Sequence, residues 1–363
     1  MRFFFLAAFW LVSSCCFAQS TQNISWYQQL KGTIGPYPVT LHLHKAGHTY
    51  TGYYYYQSQQ NPVYFIGEDS TKKGTISLML FASKQEQEEL RFTLSGSEAK
   101  GNWKKNASGK PLPFTASAAG AEDIRFTYVF TMGATALRPK LKSSPTATFE
   151  AAAIWPEGNS ATEAFIKQVV RQAFDSGSTG GEIGGALLRL KKDFLADYAS
   201  EYNATSDKEI KEMPNAFTLD ETSRLMIAYR SPQLLALAHF HYSYSGGAHG
   251  NYATQYISLD LRAQKKLQLP DVLTEAGIQA LHQLLPRHFR KANGLQPNEA
   301  LTEGGLFENK LEPTDNFFVT GKGIGFSYAP YEVGPYALGE VQVFIPFTDL
   351  QPYLQPHFKN KIE

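Results

Sequence analysis

Tyr37-Pro38-Val39-Thr40-Leu41-His42-Leu43-His44 alternates apolar and polar residues, breaks at Lys45-Ala46-Gly47, and is followed by a second alternating run over 48–56 that contains Tyr53-Tyr54-Tyr55-Tyr56. Successive side chains of a strand point to opposite faces, so two period-two runs around a glycine predict a hairpin. The same pattern recurs at 63–66, 75–81, 90–94 and 113–115, punctuated by Gly67, Gly74, Gly96 and Gly101. Hairpin-length spacing of this kind predicts an antiparallel β-meander, either open or closed into a small barrel. Four consecutive tyrosines place two on each face of their strand. They are either core residues or a stacking surface for a sugar or apolar ligand.

Toward the N-terminus, Met1-Arg2 precedes ten apolar residues from Phe3 to Val12, and Cys16-Phe17-Ala18 precedes Gln19. This is the layout of a secretory signal peptide over 1–18, and ten apolar residues are too few for a membrane span. Val12-Ser13-Ser14-Cys15 offers a lesser alternative, a lipobox that leaves Cys15 as a lipid anchor. The expected location is periplasmic or extracellular, where ATP and reducing thiols are scarce, and no cofactor is expected. The 363 residues carry 34 Lys+Arg against 33 Asp+Glu. That balance lacks the basic field a general nucleic-acid binder needs. The two cysteines are adjacent, at Cys15 and Cys16, which excludes a disulfide scaffold and cysteine-ligated zinc.

Toward the C-terminus, one more strand at 123–131 is followed by Leu137-Arg138-Pro139-Lys140-Leu141-Lys142-Ser143-Ser144-Pro145, which reads as a linker. A domain boundary is expected near 142, giving a β-rich domain over 19–142 and a second domain over 143–363. The second half opens with a strand at 146–155. Ser160-Ala161-Thr162-Glu163 then forms a capping box before the helical stripe Phe165, Ile166, Val169 and Val170. A second helix carries Ile183, Leu187, Leu190, Phe194 and Tyr198. A third, over 274–291, carries Ile278, Leu281, Leu285 and Phe289 and should kink or split at Pro286. Strands are expected at 224–229 and 234–244 around Ser231-Pro232, then at 252–261, 317–320, 325–328 and 340–345, with a helical turn at 349–354. Strands and about three helices that do not alternate predict an α+β fold with an antiparallel sheet.

Two segments stand out as candidate binding elements. In Ser245-Gly246-Gly247-Ala248-His249-Gly250, three glycines around a histidine either present backbone amides and His249 to a ligand or simply turn the chain. Tyr328-Ala329-Pro330-Tyr331-Glu332-Val333-Gly334-Pro335-Tyr336 combines rigid prolines with three tyrosines and one acid. It reads either as an aromatic recognition loop or as a packed edge whose Glu332 caps backbone amides. His239 and His241 share a strand face, as do His42 and His44, but no third ligand completes a metal pattern, and no metal site is expected.

Tyr244-Ser245-Gly246-Gly247-Ala248-His249-Gly250 and Tyr331-Glu332-Val333-Gly334-Pro335-Tyr336-Ala337-Leu338-Gly339 resemble the paired signatures of the RsiV-like family of exported bacterial domains, DUF4163 and DUF3298. The resemblance extends from about residue 147 to 354. It includes Trp155-Pro156, Ile257-Ser258-Leu259-Asp260-Leu261 and Val343-Phe344-Ile345-Pro346-Phe347-Thr348-Asp349-Leu350. The N-terminal meander is similar in pattern only to avidin and the lipocalins. The family resemblance implies an α+β domain without known catalytic residues. In the namesake anti-sigma factor it recognises lysozyme, and in another relative it accompanies a peptidoglycan deacetylase. No transmembrane helix, sigma-binding segment or deacetylase motif is present here, so only a sensing or binding role carries over. The expectation is an exported, non-enzymatic envelope protein that binds a lysozyme-like protein or a peptidoglycan-type glycan. Ser245, Gly246, Gly247, His249, Gly250, Tyr328, Tyr331, Glu332 and Tyr336 are its contact residues. A hydrolase using Glu332 with His249, and a purely structural envelope component, are the alternatives.

Overall fold

The computed structural model describes residues 24–70, 74–81, 88–120, 124–174 and 181–362. The expected signal peptide and Cys15 lie outside the described residues.

Eight antiparallel strands form a closed barrel in sequence order. They are β1 (Ser25–Ile34), β2 (Tyr37–Ala46), β3 (Thr49–Tyr56), β4 (Val63–Asp69), β5 (Thr75–Leu80), β6 (Glu88–Ser95), β7 (Glu98–Lys104) and β8 (Leu112–Ala118). Pairing of β1 with β8, from Leu30↔Ala118 to Ile34↔Phe114, closes the ring. Inward residues such as Leu41, Leu43, Tyr54, Phe65, Leu78, Phe92 and Phe114 are buried and touch across the lumen. A small barrel is filled by its own side chains, and this one is.

The second sheet has the order β14-β13-β12-β11-β10-β9, built from β9 (Phe126–Ala136), β10 (Thr146–Pro156), β11 (Leu219–Arg230), β12 (Leu234–Ser245), β13 (Asn251–Asp260) and β14 (Lys265–Lys266). This moves the expected boundary. β9 pairs with β10 along its whole length, from Phe126↔Pro156 to Ala136↔Thr146, so the proline-rich segment around 142 is the turn of a hairpin inside this sheet. The barrel strands end at Ala118.

One pair departs from the antiparallel expectation: β10 and β11 run parallel. The chain returns between them through α1 (Ala161–Ala173), α2 (Ile183–Glu201), α3 (Asp207–Glu212) and a 3-10 turn at Pro214–Phe217. The capping box at the start of α1 forms as read. Ser160 Oγ accepts from the Glu163 N–H, and the Glu163 carboxylate accepts from the Ser160 N–H. Helical residues such as Phe194 pack on one face of the sheet, against Phe149. The barrel packs on the other, with Tyr27 and His44 against Phe126 and Tyr128.

A third layer holds α4 (Leu269–Val272), α5 (Glu275–Ala292), β15 (Phe317–Val319), β16 (Gly323–Tyr328), β17 (Val341–Pro346), α6 (Phe347–Leu350) and α7 (Pro356–Lys359). The order β15-β16-β17 is antiparallel, and Leu281, Leu285 and Phe289 of α5 share a core with Phe326, Val343 and Ile345. α5 runs unbroken through Pro286. Burying side chains of this size stabilises the layer by about 1.5–3 kcal/mol each relative to exposure.

Candidate functional site

The glycine segment is the turn between β12 and β13. Gly246 and Gly247 take φ of 82° and 95°, values a side chain disfavours. A Cβ on Gly246 would lie 3.0 Å from the Cα of Ala216, so the turn seats closely on the Pro214–Phe217 segment. Gly250 is buried against Tyr242, whose ring would be 2.5 Å from an added Cβ. The Tyr244 hydroxyl donates to the Gly247 carbonyl at 3.0 Å. Ser245 and His249 remain exposed at the rim. The glycines therefore build the turn, and the turn displays His249.

The tyrosine segment links β16 to β17. Tyr331 has φ of 71°, a left-handed backbone that costs a non-glycine residue roughly 1–2 kcal/mol. It is held there by hydrogen bonds from its N–H to the Gly334 carbonyl (3.0 Å) and from the Glu332 N–H to the Ala329 carbonyl (3.1 Å). The Glu332 carboxylate accepts from the Ala329 N–H at 2.8 Å, which is the capping role. Tyr331 is 53% exposed.

The two segments meet. The imidazole of His249 stacks on Tyr336 with ring centroids 3.9 Å apart and planes 21° apart. The Tyr331 hydroxyl lies 3.3 Å from His249 Nε2, and the Tyr336 hydroxyl donates to the Gly250 carbonyl at 2.8 Å. Tyr252 extends the array edge-on to Tyr336, and Phe240 adjoins Tyr252. Five rings thus run in succession from Phe240 to Tyr331.

Tyr328 does not join them. It is buried, its hydroxyl donates to the Glu312 carbonyl at 2.6 Å, and burial raises its phenol well above the usual range. The hydrogen-bond and ring partners of His249 are Tyr331, Tyr336 and the Gly250 carbonyl, not Glu332, so the acid–base pair of the hydrolase alternative does not form.

Of the paired strand histidines, His42, His44 and His239 are core residues, and His241 lies exposed beside His239. His239 Nε2 lies 2.8 Å from Ser223 Oγ, and its ring packs on Phe174 and His241. Burial, reinforced by His241, pushes its pKa down to about 3. His42 lies between the hydroxyls of Tyr27 and Tyr55, and burial lowers its pKa. Among the described residues no group of three or more His, Cys, Asp or Glu side chains converges as a metal site. The tyrosine run is core as well: Tyr54 fills the barrel, while Tyr53 and Tyr55 face Tyr256 and Tyr229 of the second sheet.

Phe307 is not among the residues singled out in the sequence. Its N–H donates to the Val333 carbonyl at 2.9 Å, and its ring is 55% exposed beside the Tyr331 turn. Its one signal is a bulky aromatic residue just after Gly304-Gly305.

No curated protein matches the chain. A crystal structure of a DUF3298 family member from Bacteroides fragilis is similar in fold, with a TM-score of 0.58 and 21% identity over 64% of this chain and 94% of that one. A DUF3298 family protein from Pseudomonas aeruginosa aligns with a TM-score of 0.44 and 16% identity, over 65% of this chain and 96% of that one. The family profile of DUF3298, a protein of unknown function, matches residues 270–348, the stretch that contains α5, the β15-β16-β17 sheet and the loop bearing Tyr331 and Tyr336.

Proposed function

We propose that the protein is an exported, non-enzymatic binding protein of the bacterial envelope that recognises another protein through His249, Tyr331 and Tyr336. The observation that carries this reading is the stacking of His249 on Tyr336 with Tyr331 beside them. Residues far apart in the chain are assembled at the surface, and one of them is held in an unfavourable backbone conformation while half exposed. Strain kept at an exposed aromatic residue points to use of that side chain. His249 and Tyr336 stack face to face, and the Tyr336 hydroxyl is tied to the Gly250 carbonyl, so the cluster is held rigid. Preorganised tyrosines of this kind suit a protein surface.

The resemblance to RsiV-like domains makes a lysozyme-like protein the first partner to test, and the apolar leader at 1–18 supports export, with a lipid anchor at Cys15 as the lesser form. A second reading, a peptidoglycan-type glycan, rests on the exposed half of the Tyr331 ring, which could stack on one sugar.

Calorimetric titration of the mature chain with a c-type lysozyme, and separately with soluble peptidoglycan fragments, tests both. Binding of lysozyme at micromolar Kd or tighter, about −8 kcal/mol, that weakens in His249→Ala and Tyr331→Ala supports the first reading. Binding of fragments alone supports the second. No heat with either removes both partners.

A further inference from the structure

The outer edge of β13 is only partly paired. β14 pairs only with Leu259 and Asp260, and among the described residues no strand forms a ladder with the stretch from Tyr252 to Tyr256 on that side, although β15 packs nearby. Unpaired strand edges are costly when buried and adhesive when exposed, so their donors and acceptors need partners. Here side chains supply them. Asn316 Oδ1 accepts from the Tyr256 N–H at 2.8 Å, while its Nδ2 donates to the Thr254 carbonyl at 2.8 Å and to the Ser327 carbonyl of β16 at 3.1 Å. Glu340 accepts from the Thr254 N–H through one oxygen and bonds the Thr254 hydroxyl through the other.

Glu340 stands directly after the loop that carries Tyr331 and Tyr336. Gly339 precedes it with φ of 71°, and a Cβ there would be 3.2 Å from the Tyr252 hydroxyl. The loop therefore comes down onto β13 at two places: the Tyr336 hydroxyl on the Gly250 carbonyl, and Glu340 on Thr254. Burying a carboxylate is expensive unless it is hydrogen-bonded. Burial raises the Glu340 carboxyl above the usual range, and the two bonds from Thr254 pull it back.

We infer that Glu340 is the positioning residue of the recognition surface: standing in for a missing strand on β13, it fixes the loop so that Tyr336 lies flat on His249. Its importance to binding rests on the proposed reading of that surface, but its positioning role is testable without any partner.

The test is the ring-proton signal of His249 in the folded full chain, read by NMR on histidine-labelled protein and assigned with His249→Gln. Stacking on Tyr336 displaces this signal, and Tyr336→Ala gives its unstacked position. Glu340→Ala should move the signal most of the way to that position, and Glu340→Gln, which keeps an acceptor for Thr254, should leave it near wild type. Glu340→Asp, one methylene shorter, should move it likewise and serves if the alanine variant fails to fold. A folded Ala or Asp variant with an unmoved His249 signal overturns the inference. A lysozyme titration without heat would not touch this result, and an unmoved signal would leave protein recognition standing.

Discussion

The Ile227 N–H of β11 donates to Nε2 of His44 in β2, 3.1 Å away, joining the second sheet to the outside of the barrel. The β11–β12 register slips at that point, between Ile227 and Tyr229. Because Nε2 accepts, the ring proton belongs on Nδ1 and the imidazole is neutral, a tautomer assigned from the hydrogen bond. His44→Phe puts a somewhat larger apolar ring in place of the imidazole and strands the buried Ile227 N–H, which alone should cost about 1–3 kcal/mol. Urea denaturation of wild type and variant checks this, and an unchanged midpoint would show that the joint does not depend on His44.

Acid should weaken the fold through the same group and through His239. Burial pushes both down to about 3 from an ordinary value of 6.5. In the unfolded chain each binds a proton near pH 6.5, whereas in the fold each stays neutral until far lower. Stability is therefore full above about pH 6.5 and falls as pH drops toward 3, by roughly 1.4 kcal/mol per unit for each group. Denaturation midpoints measured from pH 7 to pH 4 should decline, and His239→Gln should make the decline shallower. A decline identical in that variant would remove His239 from the account.

Tyr331→Gly separates stability from recognition. Glycine takes the 71° backbone freely, and the lost ring is more than half exposed, so the variant should gain up to about 1 kcal/mol of stability. If the ring anchors a partner, binding should weaken at least tenfold, as for a hot-spot aromatic. Thermal melting and titration of the same sample read both outcomes. A variant that melts earlier than wild type would show that the loop needs the ring for its own packing.

Gly250→Ala pushes a methyl group into the Tyr242 ring, 2.5 Å from its nearest atoms. Overpacking of this kind costs about 1–3 kcal/mol. The expected sign is a lower denaturation midpoint, together with weaker binding because His249 is the adjacent residue. Wild-type stability in this variant would mean that Tyr242 swings away freely.

Tyr336→Phe removes only the hydroxyl that holds the Gly250 carbonyl. A loss of about 0.5–1.5 kcal/mol is expected, measurable by denaturation. The stack on His249 should persist because the ring is intact. Loss of stacking in this variant would assign the loop position to this bond and not to Glu340.

Much of this architecture was legible because it is written as periodicity. β2 and β3 alternate cleanly, and the three longest helices announce themselves by a capping box or an apolar stripe. β7 was not legible, and the reason is steric. Two of its three inward positions are Ala99 and Gly101, where a Cβ at Gly101 would sit 2.5 Å from the Cα of Phe92 on the adjacent strand, so only Trp103 carries a bulky inward side chain and the alternation is lost. The linker reading failed because Pro139 and Pro145 look alike in a hairpin turn and between domains, and only pairing distinguishes them. At the surface, the residue types of His249, Tyr331 and Tyr336 were readable. Their meeting was not, since it depends on how the third layer docks on β13, through Asn316 and Glu340, which carry no pattern. Tyr328 was misplaced for a related reason: a tyrosine at the end of a strand can face either way, and this one turns inward to Glu312.

The β9–β10 hairpin also governs how the molecule can be taken apart. A fragment cut at 143 would lose β9 and bare the entire flank of β10, eleven residues of strand facing water with no mate. Such a flank recruits whatever strand it meets, so the fragment should form dimers or aggregates through that side. A workable excision begins ahead of Phe126, where only residues 119–125 separate the last barrel strand from the first strand of the neighbouring sheet. So short a tether, together with the His44 bond to Ile227, keeps the barrel seated on the sheet, and an excision that leaves either behind would bare the face between them.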